Sequence, residues 1–243
     1  MNNVCIIVPC YNESATIGPL VKEIEDISND FEIVVVNDGS EDSTSDAAKV
    51  SARTTVIDLP TNLGVGGAVQ TGFKYAMKSA KDYAVKLDGD GQHDPSEITN
   101  LLQPLIDNHA DIVIGSRFIV RNDGYQSSFY RRIGIKFIEI FCKLLTGLKI
   151  TDPTSGFRAY NKKTVKFMAD HYPSFDYPEP EELILAYRNN LRIVEVSSIM
   201  RERKAGISTI SSAMSVYYMF KVTLAMLFMY IRKPFIDKDN SYV

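Results

Sequence analysis

Five short apolar runs, Val4 to Val8, Glu32 to Val36, Thr55 to Leu59, Tyr83 to Leu87 and Asp111 to Gly115, recur along the chain with helical patterns between them. Runs of that length suit strands buried on both faces of a parallel sheet, and strands alternating with helices require right-handed crossovers. The expected fold is therefore α/β: a mostly parallel, Rossmann-like sheet with helices on both faces. The first helix is expected from a cap at Ser14 to about Ser28, with Ile17, Leu20, Val21, Ile24 and Ile27 along one face. A polar helix follows from about Asp42. Crossovers of one hand gather the strand-ending loops at the carboxyl edge, where open α/β sheets bind ligands. Those loops are PCYNE at 9–13, NDGS at 37–40, NLGVGGA at 62–68 and DGDGQHDP at 88–95.

The last loop carries the strongest chemistry. Asp88 and Asp90 stand two residues apart at the end of a strand, Gly89 and Gly91 let the chain turn, and Gln92 adds a neutral oxygen. Hard oxygen ligands in that number, with room left for phosphates, suit Mg²⁺ or Mn²⁺. A plain Asp-Gly hairpin turn is the competing reading. A calcium loop is excluded, because His93 stands where its glycine belongs and Thr99 where its glutamate belongs. In the neighbouring loops, Asp38 can accept hydrogen bonds from a base or ribose, or serve as a turn acid. Pro9 and Tyr11 offer apolar surface to a base. Gly64, Gly66 and Gly67 follow the third strand instead of the first, so they read as a close helix approach beside the pocket, not as a dinucleotide fingerprint.

With 243 residues, 45% of them hydrophobic, and no Ser/Pro/Gly-rich linker, a single large domain is expected. The net charge of −3 argues against a general nucleic-acid binder. Three cysteines without a CxxC pair suggest reduced, cytosolic surroundings. The N-terminus shows no basic region followed by an apolar core, so no signal peptide is expected.

Seven motifs in order, VPCYNE, NDGS, NLGVGGAVQTG, DGDGQHDP, GSR, DPTSGFRAY and RKAGIS at 203–208, resemble the family 2 nucleotide-sugar glycosyltransferases of GT-A fold over roughly residues 3–209. Among them the chain is most similar to the polyprenyl-phosphate sugar transferases. The resemblance implies a GT-A domain over 1–210, and the apolar pattern beyond it makes 211–243 a C-terminal apolar helix, expected at the membrane interface, with a short polar tail. It implies nucleotide contacts from Pro9, Tyr11, Glu13, Asp38, Gly67 and Asp88, and a metal held by Asp88, Asp90 and Gln92. Asp90, Glu181 and Arg203 are the catalytic candidates it suggests, with Arg203, in R-x-x-G-x-S, closing over the diphosphate. The family's following lysine is replaced by Thr209, so one contact departs from the pattern. Arg117, in GSR, and Arg131 would hold an acceptor phosphate, while Asp152 and Arg158 are assigned only to shaping the acceptor side.

The implied reaction is an inverting, metal-dependent transfer of a sugar from a UDP- or GDP-sugar to a polyprenyl phosphate. A hydroxyl of a lipid-linked glycan is the alternative acceptor, and it would need a base such as Glu181 or Glu182. A phosphate oxygen is already anionic near neutral pH, and Glu181 would then orient groups instead. Outside this class, a nucleotidyltransferase would want a glycine-rich basic loop after its first strand, and PCYNE is not one. A non-catalytic sugar-nucleotide sensor would have lost the acids that this chain keeps.

Two stretches speak of membranes. Arg117, Arg121, Arg131, Arg132, Lys136, Lys143 and Lys149 stand against only Asp123 and Glu139, and Ile133, Phe137, Ile140, Phe141, Leu144 and Leu148 recur at helical spacing. One greasy and one cationic face are expected, either on a membrane surface or as a core helix with a solvated face. Ala213 to Ile231 is the most apolar stretch, but Lys221 interrupts it, and the charge-free remainder is too short for a bilayer core of about 30 Å. A helix lying in the interface, one packed on protein and one spanning the bilayer stay open. Peripheral attachment to the cytoplasmic face of the membrane is expected, with a homo-oligomer or a membrane-protein partner also open.

Overall fold

The computed structural model describes residues 3–119, 129–173, 176–201 and 212–235. Seven strands, β1 (Val4–Cys10), β2 (Phe31–Asn37), β3 (Thr54–Asp58), β4 (Tyr83–Lys86), β5 (Ile112–Ser116), β6 (Arg158–Asn161) and β7 (Ile193–Ser197), form one sheet in the order β3-β2-β1-β4-β6-β5-β7. All pairs are parallel except those of β6, which runs antiparallel to β4 and β5. Every residue of β1, VCIIVPC, is buried, as a strand covered on both faces must be.

Helices cover both faces. On one lie α1 (Ile17–Ile27), α2 (Thr44–Ala48) and α4 (Ile98–Ile106), which bury Ile17, Leu20, Val21, Ile24, Ala48, Leu101 and Leu105 against Ile6, Val8, Val35 and Val85. On the other lie α3 (Gly64–Lys78), α5 (Phe129–Thr146), α6 (Lys162–His171), α7 (Pro178–Arg188) and α8 (Ser212–Ile231), around Ile7, Val36, Ile114 and Tyr160. The architecture is the expected one. The first helix, however, is not capped by Ser14: Thr16 occupies the N-cap position without a side-chain bond to the helix backbone, and the Ser14 N–H donates to Asp42 instead. Residues 11–16 are spent on joining loops.

Two strands lie outside the expected five. The run Arg-Ala-Tyr-Asn of β6 has no apolar pattern, because its inward positions are filled by the fully buried Arg158 and Tyr160. Arg158 stands opposite Lys86 across the β4–β6 ladder, and both are fully buried cations. Glu179 meets Lys86 at 2.7 Å, and Glu182, one turn on along α7, meets Arg158 at 3.1 Å. Buried charges persist only when paired, so this double clamp fixes α7 over the centre of the sheet.

The faces of α5 differ from the expected division. Ile135, Ile138 and Cys142 point inward, while Ile133, Phe137, Ile140 and Leu144 are exposed, Leu144 by 77%. At about 100° per residue the exposed four fall on one line opposite the buried three, with Arg132, Lys136 and Lys143 flanking them. Grease and charge therefore share the outer surface. In α8, Val222, Met226 and Met229 pack into the core beside α7 and α5, and Phe220, Leu224, Leu227, Phe228 and Ile231 face outward. Among the described residues no helix is long and apolar enough to cross a membrane.

Candidate active site

The carboxyl end of β1 is the hub. Its neighbours β2 and β4 lie on opposite sides, so the strand order reverses there and opens a crevice. The Cys10 carbonyl accepts a hydrogen bond from the Asp38 N–H at 2.9 Å, and the Pro9 carbonyl accepts one from the Gly89 N–H at 3.1 Å. Thr16 Oγ1 lies 2.9 Å from the Gly89 carbonyl and 3.0 Å from Glu13 Oε2. The NDGS loop, the PCYNE loop and the Asp88–Asp90 loop are thus sewn to one strand end, with Asp38 on one side and the carboxylate pair on the other.

The residues expected around a nucleotide take distinct places. Asp38 Oδ1 accepts the Leu63 N–H at 2.7 Å, so this carboxylate also organises the start of α3. Burial pushes its carboxyl up, opposed by the N–H groups of Leu63 and Gly64. Tyr11 is 44% exposed at the mouth, while Pro9 is buried within β1. A Cβ on Gly67 would stand 2.6 Å from that of Leu63, so the glycine is required by packing in the first turn of α3, the close approach expected from the spacing.

In the acidic loop, Gly91 takes the left-handed φ of +71°, and Asp90 Oδ1 accepts the Gln92 N–H at 3.0 Å. Asp88 Oδ2 lies 3.3 Å from His93 Nε2, and the His93 ring stacks on Phe157 with centroids 5.1 Å apart. Burial pushes the Asp88 carboxyl up. The hydrogen bond and charge of His93, with Lys86 and Arg117 behind, outweigh it and hold the carboxyl well below its ordinary range. Its side chain stays 39% open to solvent. Among the described residues no group of three or more His, Cys, Asp or Glu side chains gathers as a metal site. The residue types still suit a hard cation: Asp88 is partly open, and Asp90 and Gln92, two and four residues on in the same loop, could add oxygens, with phosphate and water filling the remaining positions.

The Gln92 carbonyl accepts the Arg201 N–H at 2.7 Å, and the Arg201 guanidinium pairs with Asp94 at 2.9 Å and with Glu23. Arg201 is thus pinned to the acidic loop, and Arg203 lies outside the described residues. So does the side chain of Arg131.

On the third side, Arg117 Nε and Nη2 each donate to a different oxygen of Asp152 at 2.6 Å, and Nη2 also donates to Thr154 at 2.9 Å. Glu181 sits half-buried in the first turn of α7. Glu182 cannot act as a base toward an external group, because it is fully buried against Arg158. Arg158 is fully buried, so any shaping of that side comes from beneath it. Its Nε and Nη2 donate to the carbonyls of Ser155 and Pro153, and its charge is spent in the core. His93 and Gly156 are contributors that the motifs alone did not single out. The signal for His93 was its place inside DGDGQHDP, where it served only to exclude calcium.

The sheet order and the loops gathered at its carboxyl edge define an α/β fold of GT-A architecture. The family model of glycosyl transferase family 2 matches residues 5–167, and the chain belongs to that family. It is 32% identical over 208 residues to the UDP-N-acetylglucosamine–dolichyl-phosphate N-acetylglucosaminyltransferase of Methanococcus voltae, spanning 79% of this chain and 82% of that protein. It is 30% identical over 224 residues to the polyprenol monophosphomannose synthase of Mycolicibacterium smegmatis, spanning 89% and 84%. Glucosyl-3-phosphoglycerate synthase of Mycobacterium tuberculosis, solved with Mn²⁺, UDP and glucosyl-3-phosphoglycerate, shares the fold with a TM-score of 0.68 at 18% identity, covering 98% of this chain and 82% of that one.

Proposed function

We propose that this glycosyltransferase moves a sugar from a UDP- or GDP-sugar to a polyprenyl phosphate, with inversion and with Mg²⁺ or Mn²⁺, at the cytoplasmic surface of a membrane. The observation that carries the donor half is the placement of Asp38 and of the Asp88–Asp90 loop on opposite sides of one strand end. Asp38 would hold the nucleoside, and Asp88, Asp90 and Gln92 would hold the cation. A bound divalent cation offsets the negative charge that builds on the departing diphosphate. The Mn²⁺ and UDP carried by the mycobacterial structure of the same fold support this half.

The acceptor half draws on the dolichyl and polyprenol phosphates in the names of the relatives. Such a phosphate brings its own anionic oxygen, so no strong base is required, in keeping with the burial of Glu182. Arg117, held in one orientation by Asp152, and Arg131 would receive the phosphate, and Glu181 would orient groups around it. Helices α5 and α8 are in contact, and their outer faces carry exposed Phe137, Leu144, Phe220 and Phe228, with Arg132, Lys136 and Lys143 on α5. A surface of that kind suits lipid tails and anionic headgroups together.

Labelled UDP- and GDP-sugars incubated with the protein, a divalent cation and undecaprenyl or dolichyl phosphate test the reading. Label is expected in the lipid phase, and EDTA should remove it. Transfer confined to glycan hydroxyls, with none to lipid phosphate, contradicts the acceptor assignment.

A further inference from the structure

We propose that residues 152–157 form a brace that positions the metal ligand Asp88 from one end and the acceptor cation Arg117 from the other, with Gly156, His93 and Asp152 as its positioning residues. This rests on the metal and acceptor roles proposed above. Because β6 runs antiparallel between β4 and β5, the segment entering it lies at the carboxyl edge, between the ends of the two strands that carry Asp88 and Arg117. The brace is itself anchored. Ser155 Oγ donates to the Gly115 carbonyl at 2.6 Å, and the Gly115 N–H donates to the Phe157 carbonyl at 2.9 Å.

At one end, buried Gly156 faces the Asp88 carboxylate so closely that a Cβ there would stand 2.8 Å from Oδ2. Phe157, the next residue, stacks on the ring of His93, whose Nε2 lies 3.3 Å from the same oxygen. Asp88 is thus confined between a backbone without a side chain and a ring held by its neighbour. At the other end, Asp152 grips Arg117 through two hydrogen bonds of 2.6 Å and Thr154 adds a third. The Asp152 N–H and the Thr151 N–H both donate to Glu195, which holds that end on β7.

The side chain that must yield to a methyl on residue 156 is the free end of Asp88, so Gly156→Ala moves a ligand at small cost to the fold. Mn²⁺ binding, followed by the electron paramagnetic resonance of free Mn²⁺ with and without UDP or GDP, reads this directly. Gly156→Ala and His93→Phe are each expected to weaken Mn²⁺ binding by about tenfold or more, the usual effect of removing a group that orients a metal ligand, with melting temperatures close to wild type. Asp152→Asn, with Thr154→Val as the milder variant, should leave Mn²⁺ binding unchanged while raising KM for polyprenyl phosphate and not for the donor. Unaltered Mn²⁺ affinity in Gly156→Ala and His93→Phe overturns the brace, as does an equal loss of Mn²⁺ affinity in all four variants. Wild-type protein that takes up no Mn²⁺ overturns the metal reading itself and the brace with it.

Discussion

At Asp88 burial pushes the carboxyl up, while the hydrogen bond of His93 and the charges of Lys86 and Arg117 push it down, and the second set prevails. Asp90 shares its loop, and Asp90→Asn is expected to lower turnover by about 100-fold or more while the protein stays folded. Activity close to wild type in that variant would contradict the role given to the pair. Asp111 shows a carboxylate used for structure. It binds the Arg192 N–H at 2.8 Å and guanidinium at 3.1 Å, together with Asn161 Nδ2 at 2.8 Å. Burial alone would raise its carboxyl, but these partners lower it. A carboxyl lowered by folding adds stability above its unfolded pKa, which is lost as pH falls through the folded one. Asp111→Asn should therefore cost about 2 kcal/mol at neutral pH, a gap that closes below about pH 4, as urea unfolding at both pH values would show. A gap of constant size would contradict it. Asp38, Asp88 and Asp90 were legible in the sequence because each follows a strand-like run. Gly156 and Lys86 were not, since their meaning lies in what faces them across β4 and β6.

Among elements, the five strands that follow periodicity rules were readable, and β6 was not. A strand whose inward residues are Arg158 and Tyr160 looks polar until α7 supplies Glu182. Helix α5 was readable as amphipathic, but its two apolar lines, one buried and one exposed, could be told apart only with the sheet in place. The exposed line leads to a prediction about membranes. Ile140→Glu with Leu144→Glu should reduce binding to vesicles containing anionic lipid by roughly tenfold or more, because two apolar anchors are lost and two repelled charges gained. Thermal stability should hold, since both side chains already face solvent. Sedimentation with such vesicles measures this, and undiminished binding would remove α5 from the membrane surface.

For the molecule as a whole, the proposed donor and acceptor sites share one edge of the sheet, while α7 behind it is held by charge. Glu182→Gln leaves Arg158 buried without its counter-ion and should cost about 3–5 kcal/mol in guanidinium unfolding. Replacing both, Arg158→Met with Glu182→Leu, should recover most of that loss, because neither desolvated charge then remains. An innocuous single variant would show that the pair bears no stability. The α/β layering was legible from the order of runs alone. The proposed joining of donor and acceptor sides through residues 152–157 was not, because it arises from one strand running against the rest. Diffraction from crystals soaked with Mn²⁺ and UDP or GDP, recorded at the manganese edge, tests the central claim most directly. The account predicts one anomalous peak between the carboxylates of Asp88 and Asp90, with the nucleoside toward Asp38. Manganese and nucleotide bound elsewhere, with those carboxylates turned away from both, would contradict it.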